Sequence, residues 1–160
     1  MSFKFELYYP LFREESTVGS LHSHHFYELV YYESGAGHTT IDGKKHRYTP
    51  GTYAFLPPNT PHDEFCESCS NIHILTFFGS ISDEQRLSAG LYTDRDGTIF
   101  RCINKIRDEY TFAMSYMSQL NNIYCEELYY TALRMTDDAS VSGSLNYVIS
   151  YIRRFFNEDL

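Results

Sequence analysis

The chain has 160 residues, 42% of them hydrophobic, which is enough for one sizeable core and too little for two ordinary domains. Its formal net charge is -8, from 21 acidic against 13 basic residues, so most of its surface would repel a polyanion; Lys44-Lys45 and Arg153-Arg154 are pairs rather than stripes, and DNA binding by these residues alone is not expected. No apolar run approaches the roughly 20 residues of a membrane span, and Lys4 and Glu6 interrupt the start of the chain, so a soluble cytoplasmic protein without a membrane partner is expected.

Aromatic residues make up 17% of the chain, all of them Tyr and Phe, which suits half-buried pleated surfaces. Residues 3–78 alternate short apolar or aromatic stretches with turn residues, a pattern that predicts a meander of β-strands. Within it, Asp42-Gly43 sits between two alternating stretches and predicts a two-residue hairpin turn with positive φ. Thr49-Pro50-Gly51 marks the next turn, residues 52–56 the next strand, and Pro57-Pro58-Asn59-Thr60-Pro61 a rigid connection before His62. Strands around 63–65 and 71–78 complete a body whose many short antiparallel segments point to a barrel or sandwich.

Residues 79–97 are polar and turn-rich, and after them the period changes. Ile99, Ile103, Ile106 and Tyr110 recur at helical spacing. A second helix over 115–135 carries Met117, Leu120, Tyr124, Leu128 and Met135 as one stripe. That stripe is expected to pack on a second copy of the chain, the alternative being that it folds back on the barrel. Residues 139–143 read as a polar linker, and Ser144 caps an amphipathic stretch to Phe156 that reads as the first helix of a domain continuing past residue 160. The expected organisation is a barrel over 1–95, a helical segment over 96–138, and a linker with the start of another domain over 139–160.

The chemistry-bearing residues gather in two patterns, His22-x-His24-x3-Glu28-x6-Gly35 and Gly51-x5-Pro57-x-Asn59-x2-His62. On a strand His22 and His24 share one face, so two imidazoles can converge on one ion. Glu28 shares their parity but joins them only if the chain bends near residues 25–27, and His62 arrives from a separate hairpin. Three imidazoles and one carboxylate suit a divalent transition metal: zinc, nickel, iron or manganese. The alternative is a polar barrel wall in which these histidines bond to neighbouring groups with no ion. Cys66-x-x-Cys69 lacks a second ligand pair of similar spacing, since Cys102 and Cys125 lie far apart on predicted helices. All four thiols are expected to be free, with Cys66 a small buried hydrophobe.

Both patterns resemble the two cupin motifs. The ordered series His22 to Tyr31, Gly35 to Gly37, Ile41-Asp42-Gly43-Lys44, Pro50-Gly51 and Leu56 to His62 is similar to the N-terminal half of AraC-type (AraC/XylS) transcription regulators, and the resemblance spans nearly the whole chain. Asn59 stands where many cupins place Gly and Cys66 where the longer motif has Asn; neither is a ligand position. The resemblance implies a mainly β fold, a cupin (double-stranded β-helix, jelly-roll) barrel followed by two or three α-helices. It implies that the barrel binds a small effector, sugar-like or another metabolite, that the helices pair two subunits into a homodimer, and that DNA is met only through a helix-turn-helix domain after residue 144. His22, His24, Glu28, Tyr53, Phe55 and His62 are the implied pocket residues, Tyr53 and Phe55 being equally readable as plain core, and residues 1–15 resemble the arm that folds over the pocket or else form an edge strand. The chain is expected not to be an enzyme. The rivals are a small cupin metalloenzyme of oxygenase or isomerase type, and a pure dimerisation module with a pocket packed shut by aromatics.

Overall fold

The computed structural model describes residues 3–82 and 85–137. The predicted linker over 139–143, the amphipathic stretch over 144–156 and Arg153-Arg154 lie outside the described residues. Within the described ones the elements are β1 (Phe3–Arg13), β2 (Val18–His22), β3 (Tyr27–Tyr32), β4 (Gly37–Ile41), β5 (Lys44–Tyr48), β6 (Thr52–Leu56), β7 (His62–Cys66), β8 (Ser70–Gly79), β9 (Gly90–Thr93), α1 (Thr98–Phe112) and α2 (Met117–Asp137). The strands form two antiparallel sheets, β1-β8-β3-β6-β9 and β2-β7-β4-β5, the jelly-roll arrangement expected, with two helices after it.

Local chemistry accounts for the turns that set this register. Asp42 and Gly43 both take positive φ, 48° and 74°, and join β4 to β5 as the predicted two-residue hairpin. Gly51, at φ 80°, turns the chain into β6. Gly37 is glycine for another reason: a Cβ there would lie 2.1 Å from the Phe65 carbonyl oxygen, so no side chain fits between β4 and β7.

Strands β3 and β6 are buried along their whole length, because the five-stranded sheet is covered on both faces. Its inner face contributes Val30, Tyr32, Ala54, Leu56, Ile72 and Ile74 to the barrel core, with Ile41, Tyr48 and Cys66 from the other sheet. Its outer face contributes Tyr27, Leu29, Tyr31, Tyr53, Phe55, Leu75 and Phe77, and these meet Ile99, Ile103 and Ile106 of α1 and Cys125, Leu128, Tyr129 and Ala132 of α2. Of the helical stripe, Tyr124, Leu128 and Met135 therefore fold back on the barrel. Leu128, expected at a dimer interface, is fully buried within the single chain, because the outer face of the sheet would otherwise present a continuous aromatic surface to water.

Polar links seat the helices. The Asp94 carboxylate accepts from the Ile99 and Phe100 amides at 3.1 and 3.0 Å and from the Tyr31 hydroxyl at 3.2 Å, tying the first turn of α1 to β3. The Tyr129 hydroxyl donates to the Gln85 carbonyl at 2.6 Å and accepts from the Leu87 amide at 2.9 Å, holding the segment that the sequence reads only as polar and turn-rich. That segment also contains β9, which lengthens the sheet beside β6. The N-terminal residues form the edge strand β1 along β8, the second of the two roles open to them.

Candidate metal centre in the barrel

The strand register decides which side chains face the interior. Glu28 pairs with Leu56 on β6 and Thr76 on β8, and Leu7 pairs with Thr76, so these four form one transverse row on the inner face. In the other sheet His22 pairs with His62, and His62 pairs with Ile41. A register irregularity between Gly19 and His22 lets His22 and His62 face the cavity, and the bend at residues 25 and 26 turns the chain into β3 so that Glu28 comes beside His24 and His62.

The result is a tight group. One nitrogen from each of His22, His24 and His62 lies within 4.8 Å of the others. Each ring is held by its Nδ1–H, which donates to a backbone carbonyl two residues away: His22 to Ser20 at 2.8 Å, His24 to Phe26 at 2.9 Å and His62 to Thr60 at 2.9 Å. A carbonyl only accepts, so the proton sits on Nδ1 and the Nε2 lone pair is released toward the cluster. Outer partners of this kind fix the orientation of metal-ligating histidines. His24 also stacks on Phe26, with ring centroids 4.1 Å apart.

Glu28 stands beside the group, 3.1 Å from His24 Nε2 and 3.8 Å from His62 Nε2. The Nε2 atoms of His24 and His62 are nevertheless buried without a hydrogen bond. Burial pulls His24 toward its neutral form, but Glu28 outweighs it and the ring ends above the ordinary histidine value. His62 ends below that value, burial being the main cause. Three converging imidazoles, two of them with a buried, unbonded Nε2, and one adjacent carboxylate are a donor set that fits zinc, nickel, iron or manganese. Such an ion, when bound, would polarise a ligand oxygen; the residues that would hold it are His22, His24 and His62, with Glu28 next to them.

The cluster opens into a cavity of about 100 Å³ whose apolar wall is Val30, Ala54, Leu56 and Ile74. Across it lie groups absent from the sequence-derived set: Tyr9, Arg13, Tyr32 and Glu64. The Tyr32 hydroxyl donates to Glu64 at 3.1 Å, and burial pushes the Glu64 carboxyl up despite that bond and the nearby Arg13. Parity alone would have found two of them, because Tyr32 shares the face of Glu28 and Glu64 that of His62. Arg13 has no such signal, since a bulge between Phe5 and Leu7 resets the register of β1.

Tyr53 and Phe55 are not in this cavity. Leu56 is the partner of Glu28, so residues 54 and 56 face inward and 53 and 55 face the helices. Tyr53 instead lines a groove of about 510 Å³ with Tyr92 and Met135. Cys66 is buried under the Tyr48 hydroxyl, which donates to its sulfur at 3.1 Å, whereas Cys69 is exposed; among the described residues the only potential metal group is the histidine cluster.

Residues 13–78 match the sequence model of the Cupin domain family. No curated protein matches the chain significantly. Among solved structures, an RmlC-like cupin from Shewanella frigidimarina is 21% identical over 47% of this chain and 66% of its own, with a TM-score of 0.42. A putative glyoxylate-induced protein from Pseudomonas aeruginosa is 20% identical over 59% and 36%, with a TM-score of 0.49, and an oxalate decarboxylase of Bacillus subtilis 20% identical over 47% and 22%, with a TM-score of 0.41. The matched part of this chain thus spans less than two thirds of each of these proteins. The histidine cluster and strands β2 to β7 fall inside the stretch, residues 13–78, that is similar to the Cupin domain family.

Proposed function

We propose that this chain is the sensing and dimerisation part of an AraC-type transcription regulator, in which the cupin barrel binds a divalent transition metal and a small effector reads out through the helices. The observation that carries the metal is the convergence of three imidazoles, each locked by its Nδ1–H so that its Nε2 faces the others. Sensing is supported by the construction of β3. Glu28 faces the cluster, while Leu29 and Tyr31 on the same strand pack under α1 and α2, so a ligand that shifts β3 by differential affinity also shifts the helices. Regulator context is supported by the ordered motifs and by the amphipathic stretch over 144–156, where the resemblance places the start of a DNA-reading domain. With Leu128 spent inside the chain, the homodimer contact falls to the exposed side of α2, where Tyr116 just before the helix and Ile123 on it are 74% and 59% exposed and Leu120 lies between them. Met117 and Tyr124 flank this patch half-buried, and Tyr124 lies under the Lys105 ammonium.

Metal analysis of protein purified without chelators is expected to find about one equivalent of a divalent transition metal, lost in His62→Ala. Residues 1–160 joined to the DNA-binding half of an AraC-type regulator should then drive a reporter in a way that depends on His62. Reporter output indifferent to His62, or turnover of a small acid by the metal-loaded protein alone, would replace sensing with the enzyme reading.

A further inference from the structure

The barrel cavity holds a cation that the histidine cluster does not use. Arg13, the last residue of β1, lies at the open seam between β1 and β2, the edge strands of their two sheets. Its Nε is buried without a hydrogen-bond partner, and the nearest carboxylate oxygen, Glu64 Oε1, is 3.7 Å away, beyond hydrogen-bond reach. Glu64 is engaged by Tyr32 instead. Arg13 and Glu64 thus form only a loose ion pair, and a partly desolvated guanidinium whose Nε lacks a hydrogen bond can take an oxyanion.

Resting on the metal-loaded cavity proposed above, we infer that Arg13 is the second anchor of that cavity and that the ligand is a short organic acid with an oxyanion at each end. One end lies at the His22, His24 and His62 cluster and the other on the Arg13 guanidinium, with the carbon chain against Val30, Ala54 and Ile74. A divalent ion at one end and the Arg13 guanidinium at the other would each attract one oxyanion, although Glu28, Asp63 and Glu64 also line the cavity. A volume of about 100 Å³ admits a handful of non-hydrogen atoms, which suits an acid of about three or four carbons better than a sugar ring.

The test loads the chain with cobalt(II), follows its visible absorption, and titrates malonate against propionate. Wild type should take up cobalt and bind malonate well above propionate. Arg13→Gln should take up cobalt equally, bind malonate roughly tenfold or more weakly, and bind propionate unchanged. Glu64→Gln, which removes the competing carboxylate, should bind malonate more tightly than wild type. Arg13→Gln binding malonate as wild type does, or wild type not preferring malonate, overturns the inference. Should Arg13→Gln fail to melt cooperatively, Glu64→Gln decides alone, and unchanged or weaker malonate binding there overturns it. Failure of wild type to take up cobalt, read before any acid is added, overturns the metal reading itself and the inference with it.

Discussion

The two faces of the five-stranded sheet are built from alternate residues of the same strands, yet they are spent differently. Toward the helices, Tyr27, Leu29, Tyr31, Tyr53, Phe55, Leu75 and Phe77 are buried against apolar partners and tied down by Asp94 and Tyr129. Toward the barrel, the same strands present Glu28 and the wall of a cavity in which Arg13 and His62 keep buried nitrogens without hydrogen bonds, as does His24 beside Glu28. Apolar packing dominates the outer face, where the Tyr53 hydroxyl is nonetheless buried without a partner, while the inner face gathers its orphaned nitrogens around one cavity. A period of two lets one strand serve both, so substitutions at neighbouring positions should act on different properties.

The largest effect is expected on the outer side. Leu128→Asp places a carboxylate where no solvent reaches, among Tyr129, Cys125 and the outer face of the sheet. It should abolish cooperative folding at ordinary temperature, since an unpaired buried charge costs more than a domain's typical margin of about 5–15 kcal/mol leaves to spare. Circular dichroism and thermal melting decide this; a folded monomer would show instead that Leu128 belongs to a subunit contact. Phe55→Ala comes next. It empties a site that is 1% exposed and in ring contact with Tyr27 and Tyr129, and should cost about 3–5 kcal/mol in denaturant unfolding. Because its side chain points away from the cavity, the fraction that remains folded should bind cobalt with unchanged stoichiometry. Loss of metal without loss of stability would return Phe55 to the pocket.

Asp94→Ala tests the polar seam between the sheet and α1. The variant strands the Tyr31 hydroxyl and removes the acceptor of two helix-opening amides. A cost of about 2–3 kcal/mol is expected, below that of Phe55→Ala, and hydrogen exchange should report it first at the amides of Ile99 and Phe100.

The parts legible in the sequence are those fixed by short-range chemistry. Asp42-Gly43, the Pro-rich connection before His62, and the i, i+2 placement of His22 and His24 all act within a few residues, and the hairpin, the barrel and the histidine group follow from them. Faces were harder. Residues 53 and 55 look like pocket residues until the register with β3 makes Leu56 the partner of Glu28, a contact between strands far apart in sequence. The stripe on α2 is equally apolar whether it meets a partner or its own barrel; that Leu128 packs on the barrel follows from the aromatic surface on the back of the sheet, which emerges only when β1, β3, β6 and β8 are laid side by side. Arg13 was hidden because a bulge in β1 shifts the face it presents.

The smallest expected effect has the opposite sign, and it is the sharpest contrast between the two faces. His62 is 5% exposed and gains one hydrogen bond, from Nδ1 to the Thr60 carbonyl, while its Nε2 is buried without one. The gain is about 0.5–1.5 kcal/mol and the orphaned nitrogen costs about 1–3 kcal/mol, so in metal-free protein the ring contributes little or opposes folding. His62→Leu keeps similar bulk and removes both. Measured with a chelator present, it should match wild type within about 1 kcal/mol or exceed it; measured with cobalt, wild type should gain stability with metal concentration and His62→Leu should not. A loss well above 1 kcal/mol in the chelated protein would make His62 a structural residue of the barrel, and the inner face would then resemble the outer one.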